Sequence, residues 1–240
     1  GTLEGRAYYD KSDRPEQAFQ LKPSQNPYLG SRAWNNLPLV TVKAEKEANQ
    51  IALNHLKNGA DGILFDIRHG ASCNLHVLLE AIEWPYCMIG LIANETSINT
   101  LNSIPALVQK KNWKAELLTG FILWESNAQR LVKDFNTLAQ FNTTGIFVQD
   151  STDILSQLAT AIAIGLQAKT NVAFSVSVGT DFFIEQAKVK ALRAIWSEIS
   201  SQEIFIHVRS NPWISESFQP HSNMLKSTTA AMAAIAGGRR

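Results

Sequence analysis

Residues 175–196 read SVSVGTDFFIEQAKVKALRAIW, and two periods meet inside that stretch. From Asn171 to Val178 the alternation is period two: Phe174, Val176 and Val178 point one way, Ala173, Ser175 and Ser177 the other, as in a strand. After Gly179 the pattern turns helical, with Thr180 or Asp181 placed to cap it. Phe183, Ala187, Ala191, Ala194 and Ile195 then fall on one helix face and are expected to be its buried side. A strand joined to a helix by so short a connection, with more strands to follow, belongs to a parallel βα architecture.

The same alternation runs along most of the chain. Strand-like runs at 37–43, 62–67, 86–93, 117–124, 144–150, 171–179 and 203–209 are followed by helix-like runs at 44–59, 74–84, 97–112, 127–141, 152–167, 181–199 and 223–238. The runs make about seven βα units without a composition shift, so one domain over residues 37–240 is the simplest account. Residues 1–36 carry three prolines and little periodicity, and are expected to form an extended arm. An open doubly wound sheet usually shows a glycine-rich first turn, but the first strand here runs into VKAEKEA without GxGxxG or a P-loop. The expectation is an α/β fold of the (β/α)8 TIM-type barrel class, incomplete at about seven units. An eighth strand is either absent, supplied by the arm, or missed in the count.

Bulk properties narrow the functions. With 240 residues and 45% apolar content the chain can fill a core, and 22 basic against 21 acidic side chains give no block that would track a phosphate backbone. Nucleic acid is a poor partner on that ground. No run reaches the roughly 18 apolar residues of a membrane helix and no secretion signal opens the chain, so a cytoplasmic protein is expected. Cys73 and Cys87 build no disulfide framework and have no CxxC spacing, which reads as two buried thiols in a reducing compartment.

In a βα barrel, function sits where strands end. The candidates there are Asp66, Arg68 and His69; Asn94 and Glu95; Trp124 and Glu125; Gln149 and Asp150; and His207 with Arg209. Arg68 and His69 ahead of Gly70 suit an anion-binding loop, with solvated loop charges as the alternative. Asp66 could equally tie down a loop by accepting from backbone N–H groups. His207 and Arg209 share a strand face and could meet a carboxylate or a thioester carbonyl. Lys43 opens the charged run KAEKE, where solvation opposes a Schiff-base role. HExxH, GxSxG and CxxC are absent, and the five histidines do not fall at metal-ligand spacings, so no metal is expected.

Three stretches together carry a resemblance: DFFIEQAKVKALRAIW, NPWISESFQPHSNMLKSTTAAMAAIAGG, and GSRAW followed by NGADGILFDI. With them the chain resembles the methylmalonyl-CoA mutases, adenosylcobalamin-dependent isomerases whose barrel admits the pantetheine arm of coenzyme A along its axis past small polar side chains. The resemblance implies that Ser175 and Ser177 line an acyl-CoA route, unless they face the covering helix instead. It also places Arg32 near that route and matches His207 to a strand-seven histidine, with Arg209 standing where the family has a glutamine.

Departures from the family pattern are as informative. Catalytic members carry a Tyr-His pair at the end of the fifth strand, where this chain reads GIFVQDSTD. The tyrosine expected after Trp34 is replaced by NNLPLV, and the long loop after the fourth strand, with its carboxylate-gripping arginine, is shortened to FILWESNAQR, whose Arg130 matches a later helix arginine. No DxHxxG stretch is present. The resemblance is therefore to the noncatalytic small subunit. It implies no catalytic residue in this chain, adenosylcobalamin bound by a catalytic large subunit in a heterodimer, and a homodimer or an acyl-CoA ligand as further partners. Two alternatives stay open: a stand-alone barrel lyase or aldolase using Asp66, His69, Lys43 or His207, and a barrel that senses acyl-CoA.

Overall fold

The computed structural model describes Asp10, Ser12, residues 34–69, 73–125, Leu138, and residues 141–148, 153–168, 171–202, 204–211 and 220–238. Seven strands stand where the period-two runs predict them: β1 (Leu39–Thr41), β2 (Gly62–Asp66), β3 (Met88–Ala93), β4 (Gly120–Trp124), β5 (Phe141–Phe147), β6 (Val172–Val178) and β7 (Phe205–Ser210). They form one sheet in the order β1-β2-β3-β4-β5-β6-β7, and each neighbouring pair from β1 to β6 is parallel. A doubly wound sheet would reverse its order at a switch point; strictly sequential order is the topology of a βα-barrel series. The result is an α/β fold consistent with an incomplete barrel. The arm expected at 1–36 lies, apart from Asp10, Ser12 and 34–36, outside the described residues.

The helices are α1 (Glu45–Lys57), α2 (Leu75–Leu78), α3 (Ile98–Asn102), α4 (Ile104–Lys111), α5 (Ile154–Gly165), α6 (Phe182–Ile199) and α7 (Pro220–Gly238). Local chemistry corrects the expected boundaries. The run 74–84 is one short helix: Leu79 ends it, Ala81 takes a left-handed φ of 57°, and Pro85 starts a 3-10 turn at Trp84–Tyr86. The run 97–112 is split at Ser103, ahead of Pro105. Phe141, expected at the end of a helix, starts β5 three residues before the predicted strand. Its ring packs edge-on to Trp84 at 5.7 Å, a burial that a helix terminus would not have supplied. The helix expected at 127–141 otherwise lies outside the described residues, apart from Leu138.

The chain divides into two compact units, one of Asn35–Phe147 with Gln167–Ser175, the other of Gly1–Trp34, Val148–Leu166 and Val176–Arg240. In the first, Phe65, Ile89, Leu91 and Ile122 from the strands meet Leu78, Trp84, Leu101 and Ile104 from the covering segments in one apolar core. Gly145 lets β5 approach β4 where the register shifts between Phe121 and Leu123: a Cβ there would sit 1.9 Å from the Ile122 carbonyl oxygen. In the second, Val178, Val189, Ala230 and Ala233 form a smaller core with Phe182, Ile206 and Val208 against it.

Helix α6 has the predicted period but a different phase. Its buried side is Lys188, Val189, Leu192 and Trp196, whereas Phe183 is 77% and Ile195 42% exposed. The sequence holds two apolar stripes on this helix, and Val189, Leu192 and Trp196 remove more hydrocarbon from water than the alanines of the other. Asp181 is the N-cap residue, yet its side chain makes no capping bond. Where α7 meets α6, contact is through Ala230, Ala233 and Gly237. A Cβ on Gly237 would lie 2.8 Å from the Gln186 carbonyl oxygen and 2.9 Å from Val189 Cβ, so the two helices approach through that gap.

Candidate functional site

At the ends of β2, β3 and β4 the fold brings together Asp66, Arg68, His69, Asn94 and Glu125, all predicted from sequence. Asp66, the last residue of β2, is buried, and the chain turns so that Arg68 folds back on it. Arg68 donates from Nε to Asp66 Oδ1 at 2.9 Å and from Nη2 to Oδ2 at 2.7 Å, while its backbone N–H also reaches Oδ1. Nη1 donates to Glu125 Oε1 at 2.7 Å, and Asn94 Nδ2 donates to the Arg68 carbonyl at 3.4 Å. His69 Nε2 lies 3.5 Å from Asp66 Oδ2.

Charge explains the order of strength. Burial alone raises the Asp66 carboxyl, but the hydrogen bonds and charge of Arg68, with His69 adding, hold it below the usual carboxylate range. Arg68 is raised in turn, chiefly by its bond to Asp66. One guanidinium thus answers two carboxylates, and a third anion at Arg68 would compete with Glu125, whose side chain is 54% exposed. Glu95 begins a 3-10 turn capped by Asn94, whose side chain accepts from Thr96 N–H at 3.1 Å. Trp124 donates through Nε1 to the Thr143 carbonyl at 2.8 Å and is a strand-packing residue. Lys43 is exposed.

In the second unit, Ile206 and Val208 face the core of Val178, Val189 and Ala230, so alternation puts His207, Arg209 and Ser177 on the opposite sheet face. Arg209 Nη2 donates to the Val148 carbonyl at 3.0 Å, beyond the end of β5. The His207 imidazole keeps some surface but is crowded by protein, and burial, with Arg209 adding, pushes it down to about 4. At neutral pH it is uncharged. Ser177 is 3% exposed, and Ser175, in the other unit, is 0% exposed. Arg32, Arg130, Gln149 and Asp150 lie outside the described residues.

Of the two thiols expected to be buried, Cys73 is buried and Cys87 only half-buried; desolvation first, then Glu45 for Cys73 and Glu83 for Cys87, push them up to about 12 and about 11. One buried charge escaped sequence reading. Lys188 pairs with Glu185 on the core side of α6 and donates to the Ser177 carbonyl at 2.8 Å. Its signal was present in the spacing: Lys188 adjoins Val189 and shares the face of Leu192 and Trp196, but a charged residue is not counted when an apolar stripe is drawn.

Sequential βα strands with polar groups gathered at their carboxyl ends define an α/β protein consistent with an incomplete βα barrel. Residues 155–240 match the family model of methylmalonyl-CoA mutase. The chain is also similar to the methylmalonyl-CoA mutase small subunit of Porphyromonas gingivalis, at 22% identity over 273 aligned positions, 90% of this chain and 43% of that protein. The chain thus spans less than half the length of that relative.

Proposed function

We propose that this chain is the noncatalytic small subunit of a heterodimeric, adenosylcobalamin-dependent methylmalonyl-CoA mutase, stabilising the large subunit that interconverts methylmalonyl-CoA and succinyl-CoA. The observation that carries this reading is the similarity to a small subunit along 90% of the chain. Site chemistry supports it. A radical isomerase needs a poised acid or donor and a carboxylate clamp. Here Arg68 is engaged by Asp66 and Glu125, Arg209 donates to a backbone carbonyl, and the Tyr-His pair of catalytic members is replaced by GIFVQDSTD.

Adenosylcobalamin supplies the radical when bound, and in this reading the partner holds it. Among the described residues no three His, Cys, Asp or Glu side chains converge on a point that could hold a metal ion. An acyl-CoA contact, if the chain makes one, falls to Arg32, Ser175, Ser177, His207 and Arg209. The two serines would first have to be uncovered. Among the described residues no helix is long and apolar enough to cross a membrane.

The test is purification alone and together with the large mutase subunit encoded in the same genome. Alone, with acyl-CoA and adenosylcobalamin, the chain should show no isomerisation; together, the large subunit should gain soluble yield and thermal lifetime. Turnover by the isolated chain would overturn the proposal, as would a large subunit indifferent to its presence.

A further inference from the structure

The sequence holds a single Asn-Gly pair, Asn58–Gly59, and it closes α1 at an exposed turn. An asparagine side chain is open to attack by the next backbone nitrogen, and a following glycine eases that attack because it has no Cβ to shield the nitrogen. Gly59 is bare in that sense: its φ is +93°, and nothing lies within 4 Å of where a Cβ would stand. Conformation closes the route instead. Attack forms a five-membered ring and needs the Gly59 nitrogen turned towards Asn58 Cβ, but a ψ of 16° leaves it almost eclipsed with the nitrogen of Asn58 itself. The Gly59 N–H is also held by the Leu56 carbonyl at 3.1 Å. Asn58 Nδ2 donates to the Asn54 carbonyl at 2.7 Å and to Asn54 Oδ1 at 3.1 Å, which fixes the side chain away from the backbone it would have to meet.

We propose that Asn58 is a site of spontaneous deamidation, locked while the last turn of α1 is formed and opened when that turn frays. In the open turn the Gly59 nitrogen gives its proton to hydroxide and bonds to Asn58 Cγ; the Cγ–Nδ2 bond breaks, and Nδ2 leaves as ammonia. Water then opens the succinimide at either carbonyl, giving aspartate or isoaspartate with no change of oxidation state. The conversion runs one way. A carboxylate at position 58 has no N–H to offer Asn54, faces two oxygens there, and adds negative charge at the carboxyl end of a helix, where the dipole is already negative. Isoaspartate also lengthens the backbone just ahead of β2, whose approach is fixed by Asp61 N–H to the Asn36 carbonyl and Met88 N–H to the Asp61 carbonyl. Each conversion therefore loosens the junction of α1 and β2. This inference does not depend on the small-subunit reading.

The experiment incubates the full chain at mildly alkaline pH, folded and in urea, and follows every asparagine by peptide mapping with isoaspartate detection. In urea Asn58 is expected to convert ahead of all others. In the fold it should convert about tenfold more slowly or slower still, because attack waits for local opening. Lys57→Gly, at an exposed position in the last turn, should raise the folded rate about fivefold through its lost helix propensity, with circular dichroism establishing that the variant folds. Asn58→Asp, which carries the product's charge, should lower the urea midpoint. Another asparagine converting first in urea overturns the site. A folded rate equal to the rate in urea, or one unmoved by Lys57→Gly, overturns the lock, and an Asn58→Asp midpoint no lower than wild type overturns the loosening.

Discussion

Arg68 holds Asp66 in a two-point grip, Nε to Oδ1 at 2.9 Å and Nη2 to Oδ2 at 2.7 Å, across the turn that ends β2. Asp66 is 4% exposed, so removing the guanidinium strands a desolvated carboxylate. Arg68→Ala is expected to destabilise the protein by about 2–3 kcal/mol, and Glu125→Gln, at the exposed end of the cluster, by less than about 1 kcal/mol. Because the Asp66 carboxyl is held low in the fold, the grip stabilises above the unfolded value of 3.8 and fades as pH falls through the lower folded value. Urea titrations of both variants at neutral pH check the ranking; equal losses would refute it.

His207 sets a second pH response, in a different window. The imidazole is neutral down to about 4 in the fold but takes a proton near 6.5 when unfolded. Between those values the unfolded chain binds more protons, so stability rises with pH across the window and drops as acid enters it. His207→Gln should flatten the change in urea midpoint between about pH 6.5 and 4. An unaltered slope would show that another group governs it.

The Lys188–Glu185 pair tests how α6 is held. Lys188 is 5% exposed and also donates to the Ser177 carbonyl, so Lys188→Met removes both the charge paired with Glu185 and that donor. A loss of about 3 kcal/mol is expected from the single change, and a smaller loss when Glu185→Gln accompanies it. Strict additivity in the double-mutant cycle would mean the pair does not couple.

Two neighbouring glycines should respond in opposite ways. A methyl at position 237 collides with the Gln186 carbonyl oxygen and Val189, while one at 238 finds Val189 Cγ1 at an ordinary 3.8 Å. Gly237→Ala is expected to cost about 1–3 kcal/mol through displacement of α7, and Gly238→Ala close to nothing. Thermal melts of the two variants decide it.

The strand positions were legible because alternation along a strand is a local property, and a buried parallel sheet enriches the same branched residues in every unit. Asp66, Arg68 and Glu125 were also legible, as polar residues just where apolar runs stop. Their bonding was not: nothing in RHG or WES says that one arginine will answer both carboxylates, since that depends on β2 and β4 ending at the same height on either side of β3. The phase of α6 was misread for a related reason. Phe183, Ala187, Ala191 and Ile195 satisfy the helical period as well as Val189, Leu192 and Trp196 do, and only the space left by β6 and α7 chooses between them.

By itself the order of residues determined that this is a βα series, because each strand, turn and helix is specified by neighbours a few positions away. Tertiary packing alone decided which helix face is buried and which charges pair. Those outcomes depend on distances between segments far apart in the chain, and no local period records them.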